Sequence, residues 1–198
     1  MTRLTRRLVL SLTGAALIAP AALAASPAET FIADGIHAGL AILNNAQLTA
    51  AQRRTQFAAF LLGVTDMKRI ALFTLGDSTA SDADKAAFVA AFQDYATAVY
   101  QSYFARYSGQ TLTVLRSSER APGDVIVATS LKDPGGAPPL EIDFRVRSDG
   151  AKPVIVDCAV AGVWLALSQR DDFAAVLAKS HGDIGALIAH LRAVAAQP

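Results

Sequence analysis

The chain has one cysteine, three histidines, one tryptophan and two methionines in 198 residues. The lone Cys158 can form no disulfide within the chain and no zinc site of the multi-cysteine kind. His37, His181 and His190 are not paired at metal-ligand spacing. Charge is scarce as well: 18% of residues are charged and the formal net charge is +1. Nothing therefore points to nucleic acid or to an acidic partner. The sequence has no G-x-S-x-G, H-E-x-x-H or G-x-G-x-x-G motif and no P-loop.

What is present is apolar surface. Apolar types make up 53% of the chain, and 41 of them are alanine, which favours helix and close packing. Part of the excess belongs to a leader. Arg3, Arg6 and Arg7 precede an apolar run from Leu8 to Ile18, Pro20 breaks it, and Ala22-Leu23-Ala24 is a small-x-small cleavage site. Residues 1–24 are expected to be a signal peptide cleaved after Ala24, too short in its apolar run to span a bilayer. Thr5-Arg6-Arg7-Leu8-Val9-Leu10 also resembles a twin-arginine signal. The remaining 25–198, expected as one domain and as a monomer, carries 15 basic and 17 acidic residues. Its longest charge-free stretch, Gly35 to Gln52, contains His37, Asn44, Asn45 and Gln47, which argues against a membrane span. The protein is expected to be exported and soluble, with Cys158 acting as a small apolar residue.

The period of the apolar residues divides the chain into helices, strands and helices. Ile32, Ile36, Leu40 and Leu43 predict a helix from Ser26-Pro27 to about Asn44. Thr49 caps a second, to about Leu62, and Asp66 a third, ending at Gly76. Ser81 or Asp82 opens a long helix to Tyr107, stopped by Gly109. Four strands are predicted at Leu112–Leu115, Val125–Thr129, Leu140–Arg147 and Val154–Val160. In the third, Leu140, Ile142, Phe144 and Val146 alternate with Glu141, Asp143, Arg145 and Arg147. Ala121-Pro-Gly-Asp, Asp133-Pro-Gly-Gly and Ser148-Asp-Gly read as turns. Two helices follow, about Trp164–Lys179 and Ile184–Ala195. The expected class is α+β: a curved antiparallel sheet of four strands or slightly more, with N- and C-terminal helices packed on one face.

The long helix carries an unusual stripe. At about 100° per residue, Phe88, Phe92, Tyr95, Val99 and Tyr103 fall on one broad face, with Tyr100 and Tyr107 at its edge. The plain reading is a core helix. The sharper one is a cavity wall, because tyrosine suits a surface that is apolar at one end and wet at the other.

The same stretch carries a family resemblance. Phe88-x3-Phe92-x2-Tyr95 and Tyr103-x3-Tyr107-Ser108-Gly109-Gln110 resemble the centre of the MlaC / toluene-tolerance family of periplasmic lipid-binding proteins. Asp66-Met67-Lys68-Arg69-Ile70-Ala71-x-Phe73-x-Leu75-Gly76 is similar to the preceding helix of that family. So are Val154-Ile-Val-Asp157-x-x-Val160-x-Gly162-Val163, Arg170-x-x-Phe173 and Gly182-Asp183-Ile184. Departures are Pro153 near a usual tryptophan, Trp164 after Gly162-Val163, and Gln169 before Arg170. A hopanoid-associated branch, HpnM, is similar as well.

The resemblance implies a soluble periplasmic carrier that holds the acyl chains of a phospholipid, or a hopanoid, between sheet and helices. It further implies exchange with an inner-membrane ABC transporter complex and an outer-membrane lipoprotein complex, with no cofactor, no metal and no catalysis. The helix stripe and the apolar strand faces are then the expected cavity wall. On the strands these are Leu112, Val114, Val125 and Val127, followed by Ile142, Phe144, Val154 and Val156. Asp157 and Arg170, at positions similar to the family's, are expected to be structural. Asp157 should form a salt bridge, with Arg170 or Arg145, or cap a helix. The alternative from another class is a small-molecule hydrolase or isomerase on a cone-shaped α+β fold, which needs an acid–base pair inside the pocket.

Overall fold

The computed structural model describes residues 25–77, 79–104 and 107–196, with the side chains of 103 and 104 left out of the description. The expected leader lies outside these residues. Helix α1 (Pro27–Leu43) begins at a reciprocal cap. The Glu29 amide donates to Ser26 Oγ at 3.2 Å, and the Ser26 amide donates to Glu29 Oε2 at 3.0 Å. Thr49 and Gln52 repeat the device at α2 (Ala50–Val64). Asp66 caps α3 (Met67–Leu75), which stops at Gly76 with φ 69°, a backbone state that suits glycine. The long α4 (Asp82–Phe104) follows.

The chain then runs through a five-stranded antiparallel meander, in spatial order β1 to β5. Its strands are β1 (Thr111–Ala121), β2 (Asp124–Lys132), β3 (Leu140–Arg147), β4 (Val154–Val160) and β5 (Val163–Trp164). Helices α5 (Leu165–Lys179) and α6 (Ile184–Ala195) close the chain. The α+β class and the antiparallel sheet are as the sequence implies. Strand β1 is longer than its apolar run, because Ser117, Ser118 and Glu119 still pair with Val127, Ile126 and Val125 past a bulge at Leu115. The unforeseen β5 depends on a two-residue turn, Ala161-Gly162, with φ 49° and 81°. Two positive φ values are what a tight hairpin of this kind requires.

The helices are divided between two cores. α1 lies on the sheet: Ala28 and Ile32 pack with Val127 and Val146, flanked by Val114, Val125, Phe144 and Ile155. The other core is wholly helical and joins α3, α4, α5 and α6 through Ile70, Phe88, Phe92, Phe173, Leu187 and Leu191. Burying each such side chain contributes about 1.5–3 kcal/mol. The opposite face of the sheet is charged. Asp124 accepts from Arg145 Nε at 2.9 Å and Nη2 at 2.7 Å, and Arg147 approaches it at 3.3 Å.

Candidate functional site

An apolar groove of about 180 Å3 lies between α1, α2 and the face of the sheet that α1 covers. Its helical walls follow from sequence spacing. Ile32, Ile36, Leu40 and Leu43 share one stripe of α1, and Phe57, Phe60, Leu61 and Val64 share one stripe of α2. The floor is Leu112 of β1, Leu131 of β2, Phe144 of β3 and Ile155 of β4. Leu112 and Leu131 are register partners, and Phe144 sits one strand further across. Two lining residues are polar, Tyr107 and Gln110. Both are anchored outside the groove. Asn44 Nδ2 donates to Tyr107 Oη at 3.2 Å, and Gln110 Nε2 donates to Asp133 Oδ2 at 2.9 Å.

Among the described lining residues there is no Asp, Glu, His, Cys or Lys. The described lining therefore offers no acid–base pair. The groove can take up an apolar chain. Beside its Tyr107 end lies a second cavity of about 250 Å3, lined by Arg53, Arg54, Gln101 and Ala50, with Leu43, Phe57 and Tyr107 common to both.

Of the residues that the sequence put in a cavity wall, Leu112 and Phe144 line this groove. The aromatic stripe of α4 does not. Phe88 and Phe92 are 0% and 1% exposed and stand edge-on to Phe173 of α5 at 6.0 and 6.3 Å. Tyr95 meets the same ring at 6.0 Å, and Val99 is half-buried outside the groove lining. The side chain of Tyr103 lies outside the described residues. The placement has a plain cause: a second apolar surface, on α5 and α6, takes that helix face.

The strand residues divide similarly. Val114, Val125 and Val127 are filled in beneath α1 as core. Ile142 is on the groove face, opposite Thr129 and Val160, but outside the lining. Val154 and Val156 are displaced by a bulge. Val146 pairs with Ile155 while Arg145 pairs with Asp157, so Val154 shares the face of Arg147 and Ile155 takes the groove position. Sequence reasoning used the α1 stripe only to place a helix, and it passed over Phe57-x2-Phe60-Leu61-x2-Val64. That i, i+3, i+4, i+7 pattern was the available signal.

Asp157 and Arg170 do not meet in an ion pair. Asp157 Oδ1 accepts the amides of Cys158 at 2.8 Å and Ala166 at 3.1 Å, so a strand carboxylate caps the start of α5. Burial raises its pKa, against the lowering effect of those amides and of Arg145. Arg145 itself is engaged by Asp124. Arg170 lies over the Phe73 ring at 5.4 Å and 3.8 Å from Asp77, tying α5 to the end of α3. Cys158 is beside Tyr100, and burial pushes its thiol up to about 12. It is a protonated thiol at neutral pH and an inert one.

The model of the MlaC protein family matches residues 36–193. Among solved structures, the chain is similar to the phospholipid-binding protein from Ralstonia solanacearum, solved in complex with a phospholipid. The two are 21% identical with a TM-score of 0.76, over 87% of this chain and 98% of that one. The matched span runs from the second half of α1 through the whole sheet into α6, and so takes in most of the groove wall: the chain belongs to the MlaC family.

Proposed function

We propose that the protein is a periplasmic lipid carrier that holds acyl chains in the groove between α1, α2 and the sheet. The observation that carries this reading is the groove's chemistry: aliphatic and phenyl walls, with polar residues confined to Tyr107 and Gln110. A wall of that kind selects for apolar length and against charge. Each buried methylene contributes about 0.8 kcal/mol. About ten of them give roughly 8 kcal/mol, a micromolar affinity before the cost of ordering the chain. Membership of the MlaC family supports the reading, and the Ralstonia protein of similar fold is itself a phospholipid binder. In this role the carrier exchanges its lipid with an inner-membrane ABC transporter complex and an outer-membrane lipoprotein complex. The absence of an acid–base pair among the described groove residues counts against the hydrolase or isomerase alternative.

The test is to purify the exported protein, extract it with organic solvent and identify the extract by mass spectrometry. Co-purified phospholipid or hopanoid, or stoichiometric uptake of added lipid, is the expected result. A protein that yields no lipid and takes up none is not a carrier.

A further inference from the structure

We infer that the cavity around Arg53 seats the phosphate of an anionic lipid headgroup, with the acyl chain running from it into the groove. The inference rests on the carrier reading and adds to it a headgroup class and an orientation. Four observations converge. The two cavities are contiguous, since Leu43, Phe57 and Tyr107 wall both. The lining of the second includes Arg53 and Arg54 and no carboxylate. Arg53 Nε is buried and has no hydrogen-bond partner among the described residues, while Nη2 donates to the Leu48 carbonyl at 3.2 Å. And neither Arg53 nor Arg54 has a carboxylate within ion-pair distance among those residues. Arg69, Arg145, Arg147 and Arg170 do, while Arg116, Arg120 and Arg192 also lack one but line neither cavity.

A guanidinium normally has its donors satisfied when buried, and a carboxylate is the usual means. Here Arg53 lines a cavity that has no carboxylate in its described wall, beside a groove built for an apolar chain. Phosphate fits that vacancy in shape and charge, because two of its oxygens can accept two N–H bonds from one fork. Arg54, more exposed on the same helix turn, adds a second positive charge at the entrance. The arrangement is polarised as an amphiphile is: cationic at the Arg53 end and apolar toward Val64 and Ile155.

The experiment compares two ligands that differ only in the phosphate: a lysophosphatidic acid and the monoacylglycerol of the same acyl chain. Both are titrated calorimetrically into the wild-type protein and into Arg53→Gln, Arg53→Lys and Arg54→Gln, with glycerol 3-phosphate as a chainless competitor. The wild type is expected to bind the lysophosphatidic acid at least about tenfold more tightly than the monoacylglycerol. Arg53→Gln should abolish that preference, by weakening lysophosphatidic acid binding toward the level of the monoacylglycerol. Arg53→Lys should keep part of it, and Arg54→Gln should lose less than Arg53→Gln. Glycerol 3-phosphate should not compete at millimolar concentration.

If both ligands bind the wild type equally, or if Arg53→Gln keeps the preference, the headgroup seat is wrong and the carrier reading stands. If neither lipid binds, the carrier reading fails and takes the seat with it. Effective competition by glycerol 3-phosphate would identify a free-phosphate site and overturn the shared seat. Should Arg53→Gln fail to fold, salt decides in the wild type: lysophosphatidic acid binding must weaken with ionic strength while monoacylglycerol binding does not.

Discussion

Gly39 of α1 stands so close to Phe60 of α2 that a Cβ at Gly39 would lie 3.2 Å from Phe60 Cε1. One turn earlier, a Cβ at Gly35 would meet nothing within 4 Å, and Gly35 lines the groove. The Gly-x3-Gly spacing therefore does two separate things. Gly39 lets the second helix approach, and Gly35 keeps the groove open. Gly35→Leu should fill that space. It should raise the stability of the protein by about 1 kcal/mol, the helix-propensity gain over glycine, while lowering lipid uptake severalfold. Thermal melting and lipid extraction on the same preparation check both. Undiminished uptake with a higher Tm would place the ligand elsewhere.

Phe92 and Leu112 separate core from groove. Phe92→Ala removes a ring that is 1% exposed in the helical core. It should cost about 3–5 kcal/mol and leave lipid bound per folded molecule unchanged. Leu112→Glu puts a carboxylate on the groove floor at a half-buried position. It should shift the unfolding midpoint far less and abolish uptake. Urea unfolding together with lipid stoichiometry measures both, and reversed effects would restore the aromatic helix as a ligand wall.

Helix boundaries were legible because local chemistry sets them. Ser26, Thr49, Asp66 and Asp183 each accept an amide hydrogen bond at the helix starts. The alternation of β3 identified both faces of the sheet, and the charged one carries Arg145 and Arg147 onto Asp124. Which apolar face meets which was not legible. The stripe of α4 reads the same whether its partner is a sheet or Phe173 and Leu187, and only tertiary packing chooses. The bulge opposite Arg145 and Val146 leaves no trace in Val154-Ile155-Val156-Asp157, yet it exchanges Val154 and Val156 for Ile155. Most of the groove wall comes from α1 and α2, whose stripes carry no mark to distinguish a cavity wall from a core.

Ala161 is a residue with a β-carbon in a left-handed conformation, φ 49°, at the hairpin that joins β4 to β5. That state costs an L-residue about 1–2 kcal/mol. Ala161→Gly should therefore stabilise the protein, by about 1 kcal/mol once the greater freedom of glycine in the unfolded chain is counted. The position is exposed, so lipid uptake should not change. A lower unfolding midpoint would show that the alanine side chain packs in a way its exposure does not reveal.

Asp124 links stability to pH. Its side chain is 6% exposed, and the hydrogen bonds from Arg145, with Arg147 nearby, hold its carboxyl below the usual carboxylate range. The unfolded chain, with an ordinary carboxyl near about 3.9, takes up the proton first as pH falls. The stabilisation is thus complete above about pH 5 and is lost as pH drops through the lower folded value. Asp124→Asn should cost about 2 kcal/mol at pH 7, the usual range for hydrogen bonds to a charged group. Below about pH 4 the gap between wild type and variant should narrow. Urea titrations at pH 7, 4 and 3 measure it. Asp149 and Asp157 are present in both proteins and largely cancel in the difference. A gap that stays constant across the three pH values would mean that Asp124 acts through shape and hydrogen-bond geometry, with its charge contributing nothing.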